Sequence, residues 1–135
     1  MLDTTSHATL GHGWTLEALR GALAAPVARE DDPEDGTTLV EVAPLAALFA
    51  HHRDVHRTRQ TVAERNARSG APFEIAASVA AAAQARAEIA LADQALAHIA
   101  RGIPGIEIDT HRLAIIYGEA EMTLGAVAAG SPHAA

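Results

Sequence analysis

The chain has no cysteine, no lysine and only four aromatic residues among its 135 residues. The lack of cysteine excludes disulfides, thiolate nucleophiles and thiolate-bound metals. All ten basic residues are arginine and the formal net charge is -7, which argues against general binding to nucleic acids or anionic membranes. Glycine-rich phosphate loops and nucleophile elbows are also missing, so no motif names a reaction or a cofactor.

Alanine dominates the apolar content, with 33 residues, whereas large apolar side chains are few. Because alanine has the highest helix propensity, we predict an all-α protein. The length allows one domain with a real core. A bundle with so few large side chains has a thin core, so we expect a homodimer or a larger homo-oligomer.

Two long helices that fold back on each other at residues 69–72 organise the predicted fold. Gly70 is suited to ending a helix, and Pro72 is suited to the first helical position. Glu74 then lies in the first turn, where its charge opposes the helix dipole. So short a link requires the two helices to pack side by side and antiparallel.

The complete prediction is an antiparallel bundle of three long helices plus a short N-terminal helix. Thr15 caps the short helix, with Trp14 and Leu19 placed as a hydrophobic staple. The acidic run 29–36 reads as a solvated loop. The predicted boundaries are a tail at 1–13, one domain at 14–129, a C-terminal tail at 130–135, and long helices from Thr38 or Pro44 to Arg68, from Pro72 to Arg101, and from Asp109 to about Ala129.

His52, His56 and Arg59 share one face of the second helix in this prediction. Two histidines four residues apart can bind one metal ion, since neighbouring helical turns bring both imidazoles to one point. No Glu follows the first His as in a zinc-protease helix, no Glu-x-x-His pair is present, and a nearby arginine opposes a cation. His52 and His56 are therefore weak metal candidates. The favoured interpretation is that both histidines are simply hydrogen-bonded at a helix interface.

The third helix carries a seven-residue apolar repeat that predicts a packing seam. Arg86 and Asp93 fall in the same seam, and a buried charge is costly unless it is paired. We therefore predict an interior polar cluster with Tyr117 of the last helix nearby. The candidate ligand-binding residues are His52, His56, Arg59, Arg86, Asp93 and Tyr117. Paired guanidinium groups suit a carboxylate or phosphate, and the alternative is a structural salt-bridge network that fixes helix register.

Three functions remain open at this point. The leading hypothesis is a small non-catalytic interaction or regulatory protein that acts through self-association or a protein partner. The second is binding or conversion of a small anionic metabolite at the interior cluster, and the third is a histidine-ligated metal site. Residues 1–9 lack a basic segment followed by an apolar run, and the stretch 75–83 is too short to span a bilayer. We therefore predict a cytoplasmic protein without a membrane partner.

Overall fold

The computed structural model of the chain describes residues 14–134, with side chains described up to residue 128. This part of the chain holds four α-helices and a small three-stranded antiparallel sheet. The all-α prediction is therefore wrong. The elements, in order, are α1 Leu16–Ala24, β1 Arg29–Asp32, β2 Thr37–Glu41, a 3-10 turn Ala43–Leu45, α2 Ala46–Ser69, α3 Pro72–Ala100, β3 Gly105–Asp109 and α4 Thr110–Ala134.

The sheet has the strand order β1-β2-β3, with both neighbouring pairs antiparallel. Strand β2 is central, and its Thr38 pairs with Ile108 of β3. Both β2 and β3 alternate buried and exposed side chains, so one face of the sheet packs on the core. Strand β2 leads through the 3-10 turn into α2, and β3 follows α3.

The strands were missed because each is only four or five residues long and two of them resemble other structures. The acidic segment Arg29–Asp32 forms β1, an edge strand, where charged side chains are tolerated because they face solvent. The segment Thr38 to Glu41 has the residues of a capping box, yet Thr38 and Val40 point inward and Leu39 points outward. That alternation is typical of a half-buried strand.

The helical hairpin is confirmed. Helix α2 ends at Ser69 and α3 begins at Pro72, with the amide of Gly70 donating to the carbonyl of Asn66. The cap of α1 is also confirmed, because the Thr15 hydroxyl accepts from the amide of Ala18 at 3.0 Å. Gly102, with φ of 75°, turns the chain after α3, a conformation that other residues adopt at a cost.

The hydrophobic core lies at the base of the hairpin and not along its whole length. It combines the start of α2, the end of α3, one face of β2 and β3, and buried positions of α1 and α4. Leu45 at the end of the 3-10 turn and Leu48 and Phe49 at the start of α2 are fully buried there. In residues 57–87, which we call the arm, only Ala63, Ala82 and Ala85 are buried. The arm is therefore a two-helix projection from the core.

Helix α3 is long and apolar enough, by length and composition, to cross a membrane, with a mean hydropathy of 1.3 over its most apolar window. Only 22% of that window is buried, because much of it lies in the arm. A single helix of this kind is weak support for a membrane span, so the cytoplasmic location stays a prediction. The predicted tail at 1–13 lies outside the described residues, and α4 continues to Ala134, beyond the predicted helix end near Ala129.

Candidate functional site

A cluster of histidine and glutamate side chains lies where α2, α3 and α4 meet. His52 Nδ1 is 2.6 Å from Glu119 Oε1, and His56 Nε2 is 3.0 Å from Glu119 Oε2. The two imidazole rings are neighbours, with centroids 4.3 Å apart. His52 is fully buried, His56 is 6% exposed, and the Glu119 side chain is 10% exposed. One carboxylate of α4 thus faces two histidines from successive turns of α2.

The second nitrogen of His52 is held from the opposite side. Its Nε2 lies 2.8 Å from Oε1 of Glu88, a buried residue of α3. The other carboxylate oxygen of Glu88 is 2.9 Å from the guanidinium of Arg112 on α4. Because an ionised carboxylate only accepts hydrogen bonds, Glu88 favours a proton on Nε2 of His52 and leaves Nδ1 directed at Glu119.

Packing of the three helices explains why these side chains converge. Glu88 lies on the same stripe of α3 as the buried Ala85, Ala92 and Ala95, so it must enter the interior with them. Asp109 caps α4, since its Oδ2 accepts from the amide of Arg112 at 2.9 Å. The capped helix buries Leu113, Ile116 and Ala120, and this orientation directs the adjacent Glu119 toward α2.

Burial and hydrogen bonding shift the ionisation of the cluster. Burial lowers the pKa of His56, the neighbouring His52 lowers it further, and Glu119 only partly opposes this. Burial alone would raise the pKa of Glu119, but the hydrogen bonds it shares with His52 and His56 and the electrostatic attraction of both imidazoles outweigh burial, so the pKa falls below its ordinary value. The cluster therefore favours a neutral His56 and an ionised Glu119, the forms that bind metal ions.

The donor atoms of His52, His56 and Glu119 also fit a metal ion by position. One ligand atom from each of the three residues lies within 4.8 Å of the other two. In a tetrahedral site with bonds of about 2.1 Å, ligand atoms lie about 3.4 Å apart. The observed separations of 2.6 and 3.0 Å, each to a different oxygen of Glu119, are shorter than this by about 0.8 and 0.4 Å, so the side chains must move apart by less than about 1 Å to admit an ion. Two imidazoles and one carboxylate form a ligand set found in zinc enzymes, which leaves a fourth position open.

A groove of about 620 Å³ begins at His56 and Arg59 and runs along the arm between α2 and α3. Its lining includes the buried Ala63 and Ala85, with the exposed Ala81 beside them. The Arg59 side chain is 60% exposed, and its guanidinium is 3.7 Å from Glu119 Oε2. The groove therefore has a basic end next to the cluster and an alanine-lined floor beyond it.

The structure brings together half of the residues predicted for the interior cluster. His52, His56 and Arg59 are neighbours, although Arg59 is mostly exposed. Arg86 is exposed and pairs with Glu64 of the arm at 3.5 Å. Because Arg86 is exposed and Asp93 is half-exposed, the predicted burial of both residues in the seam is wrong.

Asp93 and Tyr117 also lie outside the cluster. Asp93 is half-exposed and pairs with Arg53 at 3.3 Å. The ring of Tyr117 packs against the core, with the Arg29 guanidinium 5.3 Å from its centroid. Arg53, the partner of Asp93, is itself only 7% exposed.

Both carboxylates of the cluster were missed from the sequence. Neither Glu119 nor Glu88 is among the residues predicted for the site. The alanine-rich pattern of α3 offers no contrast between faces, so the buried stripe that contains Glu88 cannot be recognised by periodicity. His51 was also missed. It is buried beside the cluster, with Nε2 2.8 Å from the Thr123 hydroxyl and its ring packed edge-on against Trp14.

No protein-family model matches the chain, and no curated protein or solved structure shows significant similarity to it.

Proposed function

We propose that this protein binds a divalent transition-metal ion, with His52 Nδ1, His56 Nε2 and the Glu119 carboxylate as its ligands. The arrangement of His52 carries the proposal: one ring nitrogen faces a shared carboxylate and the other faces the buried Glu88. A ligating histidine commonly donates its second N–H to a carboxylate, which fixes the ring. Zn²⁺ is the natural occupant, because two imidazoles and one carboxylate suit it and cysteine is absent.

Charge around the cluster is compatible with a cation. Glu88 and Arg112 neutralise each other on the α3 side of His52, so neither adds net charge to the site. Glu119 then faces the two histidines as the ionised ligand. Arg59 is the opposing charge, and its 60% exposure allows solvent to screen it. The same contacts also describe a metal-free hydrogen-bond network that locks the three helices, and a direct test separates the two interpretations.

The test measures Zn²⁺ affinity and stoichiometry on untagged protein that has been stripped of metal and titrated against a chromophoric chelator. We expect one ion per chain. His56→Gln should weaken binding by more than about 100-fold, because losing a direct ligand exceeds losing a supporting residue. His111→Gln is the matched control, since His111 is exposed on α4. Equal Zn²⁺ affinities of the two variants, or no Zn²⁺ uptake by the wild type, would show that the cluster is a structural network and not a metal site.

Self-association through the arm is a second candidate function, favoured by large apolar side chains that lie exposed on it. Phe73 is 83% exposed and Val79 is 54% exposed. Val79 lines a shallow depression together with Glu64 and Arg68, on a part of the arm distinct from the groove. When two copies of the chain pack about a two-fold axis, opposite charges around an apolar centre on one copy can pair with those on the other. A second copy of this chain is therefore the proposed partner.

Sedimentation equilibrium of the wild type and of Val79→Glu tests this second candidate. We expect a dimer for the wild type and a monomer for the variant, because a charge at the centre of the contact would be buried without a partner. Ile115→Glu is the matched control, since Ile115 is an exposed apolar residue of α4, outside the arm. A monomeric wild type, or a dimer lost only in the Ile115 variant, would exclude the arm as the interface.

A further inference from the structure

We propose that the groove beside the cluster binds a carboxylate that carries an apolar chain, with the carboxylate held by the metal and Arg59 and the chain lying along the alanine floor. This inference rests on the proposed metal site and adds to it the class of ligand. It also revises the anionic-metabolite hypothesis, because the anion would sit at the open end of the cluster and not among buried arginines.

Charge at the mouth of the groove calls for an anion. A divalent ion bound by two neutral histidines and Glu119 keeps one uncompensated positive charge. Arg59, next to the same carboxylate, adds a second, while Glu88 and Arg112 cancel each other on the far side of His52. His56 and Arg59 both line the groove, so this excess charge faces the groove. A carboxylate neutralises it by taking the open metal position and accepting from the guanidinium.

The rest of the groove selects for an apolar chain. From the mouth, the floor runs along Ala63 and Ala85, with Val62 and Ala81 at its sides, and all four side chains are apolar. Small side chains leave the floor open, and the volume of about 620 Å³ lies within the range of small-molecule sites, roughly 300–1,000 Å³. Asn66 and Ser78 also line it, so polar contacts are available along the arm. A purely inorganic anion would leave this apolar surface uncovered.

Calorimetric titration with octanoate tests the proposal on wild-type protein, with and without one equivalent of Zn²⁺. Zinc content is measured for every sample. We expect octanoate to bind the zinc-loaded protein about tenfold more tightly than it binds the metal-free protein. Octanoate should also bind the zinc-loaded protein about tenfold more tightly than acetate does. Arg59→Ala should weaken octanoate about tenfold with its zinc content unchanged, because a charge-assisted contact is lost. Arg57→Ala, an exposed arginine of the same helix, is the control.

A pair of groove variants locates the chain of the ligand. Ala81→Leu fills the groove and should abolish octanoate binding, whereas Ala83→Leu, an exposed position outside the groove lining, should not. Zinc uptake without octanoate binding would overturn the ligand proposal alone, and absence of zinc uptake would overturn both proposals. A dimer that Ala81→Leu converts to a monomer, with no response to octanoate, would identify a second copy as the occupant of the groove and overturn the ligand proposal.

Discussion

Glu119→Gln is the substitution that most directly separates a metal centre from a structural network. The two oxygens of Glu119 face His52 Nδ1 at 2.6 Å and His56 Nε2 at 3.0 Å. Glutamine keeps the size of the side chain but removes its charge and replaces one acceptor by a donor. Without metal, we expect the variant to lose about 2 kcal/mol of unfolding free energy, the usual cost of a lost hydrogen bond to a charged group.

The two interpretations differ when zinc is added. At a free Zn²⁺ concentration 100 times the dissociation constant, a site present only in the folded state adds about 2.7 kcal/mol to the stability. For a chain of this length, such a gain raises the Tm by roughly 10 °C. The wild type should show this rise and lose it with chelator. Glu119→Gln should show almost none, because its affinity for the ion is too low.

Differential scanning calorimetry with and without zinc measures both quantities in one series. Glu121→Gln is the control, since Glu121 is an exposed carboxylate of the same helix. A rise in Tm of equal size in Glu119→Gln and the wild type would refute the assignment of Glu119 as a ligand. A wild type that does not respond to zinc, combined with the loss of stability in the metal-free variant, would show that the cluster only holds the helices together.

Three further predictions address the support of the site, its response to acid and the turn after α3. Glu88→Gln should weaken Zn²⁺ binding by about 10–100-fold with one ion still bound per chain, since it disturbs only the residue that orients His52; unchanged affinity in the chelator titration would contradict that role. Metal-free wild type should lose stability as the pH falls below about 6.5. Burial lowers the pKa of His51 and of His56 in the folded protein, so the unfolded chain binds more protons in this range and the stability present above it declines. Urea unfolding at pH 7.5 and 5.5 measures this, and equal or greater stability at pH 5.5 would contradict it. Gly102→Ala should cost about 1–2 kcal/mol in the same assay, because φ of 75° is strained for a residue with a Cβ; no loss would show that the turn rearranges freely.

The helical hairpin could be predicted because its turn combines a glycine, which disfavours continuation of a helix, with a proline, whose fixed φ suits the first helical position. Gly70 and Pro72 define the end of one helix and the start of the next, and the structure follows them. Strands β1 and β3 could not be predicted in the same way. Their stability comes from pairing with β2, which is distant in sequence from β3. A run of four or five residues is also too short for its sequence pattern alone to identify a strand.

The candidate site was predicted on α2 and missed on the other helices for a related reason. His52 and His56 are one turn apart, so their proximity follows from helix geometry alone. Arg86 and Asp93 were placed inside because the seven-residue repeat of α3 was taken as its buried stripe. Ala82 and Leu96 of that repeat are buried, but the rest of the buried face consists of Ala85, Glu88, Ala92 and Ala95. An alanine-rich sequence leaves this face undetermined until tertiary contacts form.

The strand pair at the base of the hairpin has a mechanical consequence. Strand β2 enters α2 and β3 leaves α3, so the antiparallel ladder, with Thr38 opposite Ile108, links both helices to one another at the root of the arm. If α3 slid along α2 by one turn, about 5.4 Å, the ladder would have to shear and its inward-facing side chains would be displaced. The five paired residues of each strand therefore fix the position of Glu88 along α3 relative to His52 on α2.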